Sequence, residues 1–274
     1  MIAETISIKG ANGDEIDAYA ARPSGDGPFP GVLVIHHMPG WDEWSKEVVR
    51  RMAHHGYAAI CPNLHHRAGP GPFEEVVARV REAGGSRDDF VVADLEASVD
   101  YLLALTSSNG KVGAIGFCSG GRISYMVGAK IKKLNAVVDC WGGNVVVDAD
   151  KLTPAQPQAV IDMTSEIDCP VLGLFGNDDA NPDPEQVNTI EAELKKHGKT
   201  YDFHRYDNAG HAFLAWERPN YRQAAAVEAW LGPAIRRGAH ELEPVGLTLT
   251  GARDQHAAGR EVLDREHARS ALLV

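Results

Sequence analysis

Residues 112–122 read Val-Gly-Ala-Ile-Gly116-Phe-Cys118-Ser-Gly120-Gly121-Arg122, an apolar run that breaks into glycines around one cysteine. A run of this kind suits a strand buried on both faces. The Gly-x-nucleophile-x-Gly pattern that follows is that of a strained strand-to-helix elbow, which lifts its central side chain above the carboxyl edge of a sheet. Glycine is required on either side because neighbouring chains crowd the turn and leave no room for a Cβ. Cysteine placed there meets the positive end of the next helix, which favours the thiolate. The bland alternative is a buried cysteine beside a Gly-rich packing turn. Context decides between them.

Working outward, apolar runs alternate with amphipathic stretches. Before the elbow, short alternating segments at 5–8 and 16–20 flank Asn12-Gly13, a hairpin signal. Buried strands are expected at 31–36 and 58–61, with helices at 43–55 and 88–106. After it come a helix at 122–131, strands at 136–141, 170–175 and 201–206, and helices at 184–197 and 221–235. This alternation predicts an α/β fold, a mostly parallel central sheet with helices on both faces, opened by an antiparallel hairpin. One domain is expected over residues 1–237. Residues 238–274 are charge-rich and are read as a C-terminal extension without assigned chemistry.

Composition narrows the function. The chain has 274 residues, 44% hydrophobic and 24% charged, enough for a sizeable core. Its net charge of −11 gives no basic footprint, so nucleic acid and anionic membrane surfaces are not expected as partners. No apolar stretch is long enough for a membrane span, and the first residues lack a secretory pattern. A cytoplasmic setting with reduced thiols is expected for the four cysteines. The oligomeric expectation is monomer or homodimer.

If Cys118 is a nucleophile on such an elbow, an acid and then a histidine should follow in chain order, each just after a later strand. Gly176-Asn-Asp178-Asp179 follows the strand at 170–175, and the Gly-x-x-Asp spacing prefers Asp179 over Asp178. Asp207-Asn-Ala-Gly210-His211 follows the strand at 201–206, and of the twelve histidines only His211 occupies that place. A metal is not expected. His36-His37, His54-His55 and His65-His66 lack HExxH or HxH spacing, and neighbours on a strand point to opposite faces.

The stretches GKVGAIGFCSGGR, CPVLGLFGNDD and YDNAGHAF resemble those of the dienelactone hydrolase (carboxymethylenebutenolidase) family. So do GYAAICPNL from Gly56 and ADLEASVDYL from Ala93, and the likeness runs to about residue 236. The resemblance implies an α/β-hydrolase fold acting on a lactone or small carboxylic ester, with no cofactor. It makes Cys118 the nucleophile, His211 the base and Asp179 the residue that orients the base. Backbone N–H groups of Met38 and Ser119 would form the oxyanion hole.

Two positions depart from the family pattern. His37 stands where the family usually has a glutamate, and Ala215 where its dienelactone enzymes carry an arginine that helps hold a substrate carboxylate. Arg67, Arg79 and Arg81 fall in a region that could supply another anion anchor. His37, Arg81 and Trp141 are carried forward as candidate substrate contacts. Two rival readings stay open: a non-hydrolytic lactone isomerase or cyclase using the same site, and a degenerate hydrolase serving as a binding module.

Overall fold

The computed structural model describes residues 1–230, and in it the run at 112–117 is the buried half of strand β5 (Ser108–Phe117). Four strands precede it: β1 (Ile2–Lys9), β2 (Glu15–Arg22), β3 (Phe29–Ile35) and β4 (Ala58–Pro62). Three follow: β6 (Leu134–Cys140), β7 (Val171–Gly176) and β8 (Tyr201–Tyr206). The helices are α1 (Glu43–His54), α2 (Phe73–Glu82), α3 (Asp88–Ala104), α4 (Ser119–Lys130), α5 (Pro184–Lys196) and α6 (Gln223–Ala229). The strands form one sheet in the order β1-β2-β4-β3-β5-β6-β7-β8. β1 and β2 pair antiparallel, as do β2 and β4, and every pair from β4 through β3 to β8 is parallel. The α/β-hydrolase architecture read from the sequence is the one observed.

Alternation along the strands divides the core between the two faces. Leu33 and Ile35 of β3 pack with Leu95 and Leu102 of α3, Met126 of α4 and Leu194 of α5. Val32 and Val34 turn to the other face, with Val48 and Met52 of α1 and Ala226 and Ala229 of α6. Parallel strands force their connections across these faces, and all their carboxyl ends meet one edge. The segments after β3, β5, β6, β7 and β8 therefore gather there.

Local chemistry sets where the helices begin. Asp42 caps α1 by accepting the Ser45 N–H at 2.9 Å. Asp183 and Gln186 form a reciprocal capping box on α5, with Pro184 in its first turn.

Several boundaries differ from the expectation. The hairpin turn is longer than two residues: Lys9 pairs with Glu15, and Asn12 and Gly13 take φ of 57° and 79° inside a short 3₁₀ turn. β5 starts at Ser108 and α4 at Ser119, both earlier than periodicity placed them. Helix α2 is an element that periodicity does not announce, because it buries only Val77 and Val80. The boundary at 237, the extension at 238–274 and the end of the helix expected at 221–235 lie outside the described residues. No described helix is long and apolar enough to cross a membrane.

Candidate active site

The elbow has the geometry its glycines permit. Cys118 sits at φ 56°, ψ −118°, a conformation an L-residue holds only when its surroundings enforce it. Its N–H donates to the Cys140 carbonyl at 3.0 Å, and its own carbonyl accepts from Arg122 N–H at 3.2 Å, which starts α4. A Cβ on Gly116 would run into the Gly120 carbonyl, and one on Gly120 into the carbonyls of Ile35 and His36. The glycines let β3, β5 and α4 close around the cysteine.

The segments after β7 and β8 bring two side chains to it. His211 acts directly on the Cys118 thiol, and its Nδ1 lies 2.8 Å from Asp179 Oδ2. A carboxylate only accepts, so Nδ1 carries the proton there. Asp179 is buried, and its second oxygen accepts the Asn181 N–H at 2.9 Å, while Asp178 is exposed. The two loops are tied together by Asn177, whose side chain donates to Asp207 at 2.6 Å. Asn220 holds the His211 carbonyl at 3.0 Å.

Charge completes the arrangement. Burial alone would raise the Cys118 thiol. The hydrogen bond and charge of His211, with the backbone N–H groups of Ser119 and Met38, outweigh it and hold the thiol below its ordinary value. Burial works against the charged form of His211, yet hydrogen bonds to Asp179 and Cys118 raise it to about 10. The charged form of each group thus favours that of the other, and the backbone N–H groups of Ser119 and Met38 act on the same thiol.

The segment carrying Met38 is anchored by histidines. His36 is buried, with Nδ1 2.8 Å from the His37 carbonyl and Nε2 accepting from Leu64 N–H at 3.1 Å. Burial, then the charge of His65, push its pKa down to about 3, so it is a neutral strut between the ends of β3 and β4.

This geometry can be set beside known proteins. The sequence profile of the dienelactone hydrolase family matches residues 16–233. The chain belongs to the dienelactone hydrolase family. A protein of Methylorubrum extorquens, provisionally named carboxymethylenebutenolidase, is 35% identical over 239 residues, spanning 84% of this chain and 78% of that protein. A relative with the same provisional name from Escherichia coli K12 is 35% identical over 233 residues, 80% of this chain and 81% of its own length. A crystal structure from Klebsiella pneumoniae, provisionally named dienelactone hydrolase, superposes with a TM-score of 0.76 at 30% identity. It covers 88% of this chain and 98% of that one. As a dienelactone hydrolase family member the protein is an ester or lactone hydrolase.

Not every candidate contact reaches the open site of this dienelactone hydrolase family member. His37 is 4% exposed; its Nε2 lies 2.6 Å from Asp42 Oδ2 and its ring stacks on Trp44. Sequence reading missed Asp42. Burial would raise this carboxyl, but His37 and the Ser45 N–H and hydroxyl hold it at about 2. The only signal was Asp42 as a helix cap three residues before Ser45. Trp141 is 1% exposed and backs the His211 ring from 6.4 Å, with Phe117 and Phe213 behind it. It supports the histidine from the core side. Arg81 projects from α2 into solvent. Among the described residues no group of three or more His, Cys, Asp or Glu is placed to hold a metal ion.

Proposed function

We propose that the protein hydrolyses a small carboxylic ester or lactone through Cys118, His211 and Asp179, by way of a thioester acyl-enzyme. The Cys118 sulfur attacks the carbonyl carbon, and the carbonyl electron pair moves to oxygen, which takes the N–H donors of Ser119 and Met38. As the tetrahedral adduct collapses, the alkoxide leaves and receives the proton held by His211. The thioester remains on Cys118. His211, now neutral, takes a proton from water as the hydroxide adds to the thioester carbonyl. Collapse then releases the carboxylic acid and returns the thiolate–imidazolium pair. Asp179 keeps the imidazole in the tautomer whose free nitrogen faces sulfur. In a lactone, both products remain in one molecule.

The observation that carries this reading is the thiol on its strained elbow, its pKa lowered by His211 and by the backbone N–H groups of Ser119 and Met38, with His211 held by Asp179 at 2.8 Å. The relatives' name adds a butenolide, an unsaturated lactone, to the substrates to try. The test is turnover of p-nitrophenyl acetate by native protein and by Cys118→Ala, with peptide mapping of the acid-quenched reaction. An acetyl group on Cys118 and a rate loss of at least about 10³-fold in the variant are expected. Undiminished turnover by Cys118→Ala, or acetylation elsewhere, would reject the assignment.

A further inference from the structure

A cavity of about 480 Å³ opens at the same carboxyl edge, between the segment after β4, the end of α2 and the start of α3. Helix α3 runs antiparallel to β5, the strand it feeds, so its first turn lies at the edge where Cys118 sits. Two contacts run from the cavity's surroundings to buried residues that support the site. His65, on the cavity wall, packs its ring against His36 at 4.8 Å, and a Cβ on Gly40 would lie 3.3 Å from its Nδ1. On the opposite flank, Ser86 and Arg87 lead into Asp88, which grips Arg122 bidentately at 2.8 and 2.9 Å. Arg122 belongs to the first turn after the cysteine.

The charges on the walls are already matched. Arg67 binds Asp94 at 2.5 Å and Asp14 at 2.8 Å, and Arg87 binds Asp89 through two hydrogen bonds. Arg79 donates to the carbonyls of Ala68 and Pro70 at 2.7 and 2.9 Å and lies 3.7 Å from Glu75. Arg67 and Arg87 also cover the Phe90 ring. His65 is pulled down to about 4, by burial first and the charge of His37 second, so it too is neutral. Leu64, Val80, Ala83 and Val91 complete a largely apolar room. The guanidinium groups of Arg67, Arg87 and Arg79 are each already engaged by a carboxylate or by backbone carbonyls, so an entering carboxylate would gain less from them than from an unpaired arginine.

We infer that this cavity is the specificity pocket of the hydrolase and receives an uncharged apolar group of the substrate, of the size of a phenyl ring or a hexyl chain. Its volume lies in the range of small-molecule sites, roughly 300–1,000 Å³. The inference rests on the reading of Cys118 as nucleophile, and the test separates the two. One series of p-nitrophenyl esters lengthens the acyl chain from acetate to octanoate; a second, of acetate esters, enlarges the alcohol. A matched pair compares p-nitrophenyl hexanoate with the mono-p-nitrophenyl ester of adipic acid, alike in length but bearing a carboxylate.

The expected result is a rise of at least tenfold in kcat/KM along one series, with hexanoate preferred at least tenfold over adipate. Ala83, exposed at the end of α2, accepts substitution without disturbing the core. Ala83→Trp should erase the size-dependent gain relative to acetate, and Ala83→Arg should move the hexanoate-to-adipate ratio toward the charged ester. Flat series, a native preference for adipate, or a size gain that survives Ala83→Trp would overturn the pocket while Cys118-dependent acetate turnover stands. Loss of that turnover, or its independence of Cys118, would instead remove the functional reading and this inference with it.

Discussion

In the proposed mechanism Cys118 and His211 share one proton and each favours the other's charged form, so activity should track a window rather than a single titration. The thiol lies below its ordinary value and the imidazolium is raised to about 10. As pH rises through the lowered thiol value, the pair forms and kcat/KM climbs. As pH passes about 10, the imidazolium loses the proton the leaving group needs and kcat/KM falls. A pH–rate profile checks this: its acidic limb should lie below the free-thiol value and its alkaline limb near 10, whereas an acidic limb at the free-thiol value would mean that no resting ion pair exists. His37 supplies a second expectation. Its partner is Asp42 at 2.6 Å, so it steadies the Met38 segment and the start of α1 without touching the thiol. His37→Gln should lose roughly tenfold or less in rate, as for a positioning group, whereas His211→Gln should be nearly inactive. His37→Glu should do worse than His37→Gln at neutral pH, because two carboxylates would be forced together. Adding Asp42→Asn should recover the difference. Equal loss in His37→Gln and His211→Gln would make His37 a base in its own right.

At the scale of elements, the end of β6 carries an unusual burden. Asp139 is fully buried between glycines of its two neighbouring strands; one oxygen accepts Gly142 N–H at 2.7 Å and the other has no partner. Burial raises its carboxyl to about 7, against the Gly142 hydrogen bond. The unfolded carboxyl ionises near 3.8, so between these values the unfolded chain holds fewer protons and stability falls as pH rises. Asp139→Asn should flatten that slope and raise stability at pH 8 by on the order of 2 kcal/mol, with little change at pH 4. Urea titrations at the two pH values measure it; equal effects at both would show that Asp139 does not titrate in this window. Elements with strong apolar runs, such as β3, β5 and β7, were legible in the sequence, as was the meeting of Cys118, Asp179 and His211, because each follows such a run. Helix α2 was not, since two buried valines leave too weak a stripe. The His37–Asp42 pair and the backing of His211 by Trp141 were also hidden. Both join positions through turns, where no periodicity announces a contact.

Across the whole molecule, the site depends on strands of unequal security. β5 lies in the middle of the sheet, whereas β8, which leads into the segment of His211, is paired only to β7 among the described strands, and most of its residues are half-buried. Edge strands open at lower cost than central ones. In a urea titration, activity should therefore disappear before far-ultraviolet ellipticity, the gap reporting release of His211 from Cys118. Coincident midpoints would mean that β8 leaves only with the whole sheet. The order of residues along the chain has a further consequence, in time. Met38 emerges first during synthesis, Cys118 next, Asp179 after it and His211 last. Until that final segment docks, the cysteine lacks the partner that lowers its pKa and has the reactivity of an ordinary thiol. On the proposed mechanism the nascent chain thus carries its nucleophile through assembly in a quiescent form, and arms it only when the segment bearing His211, after β8, joins the site.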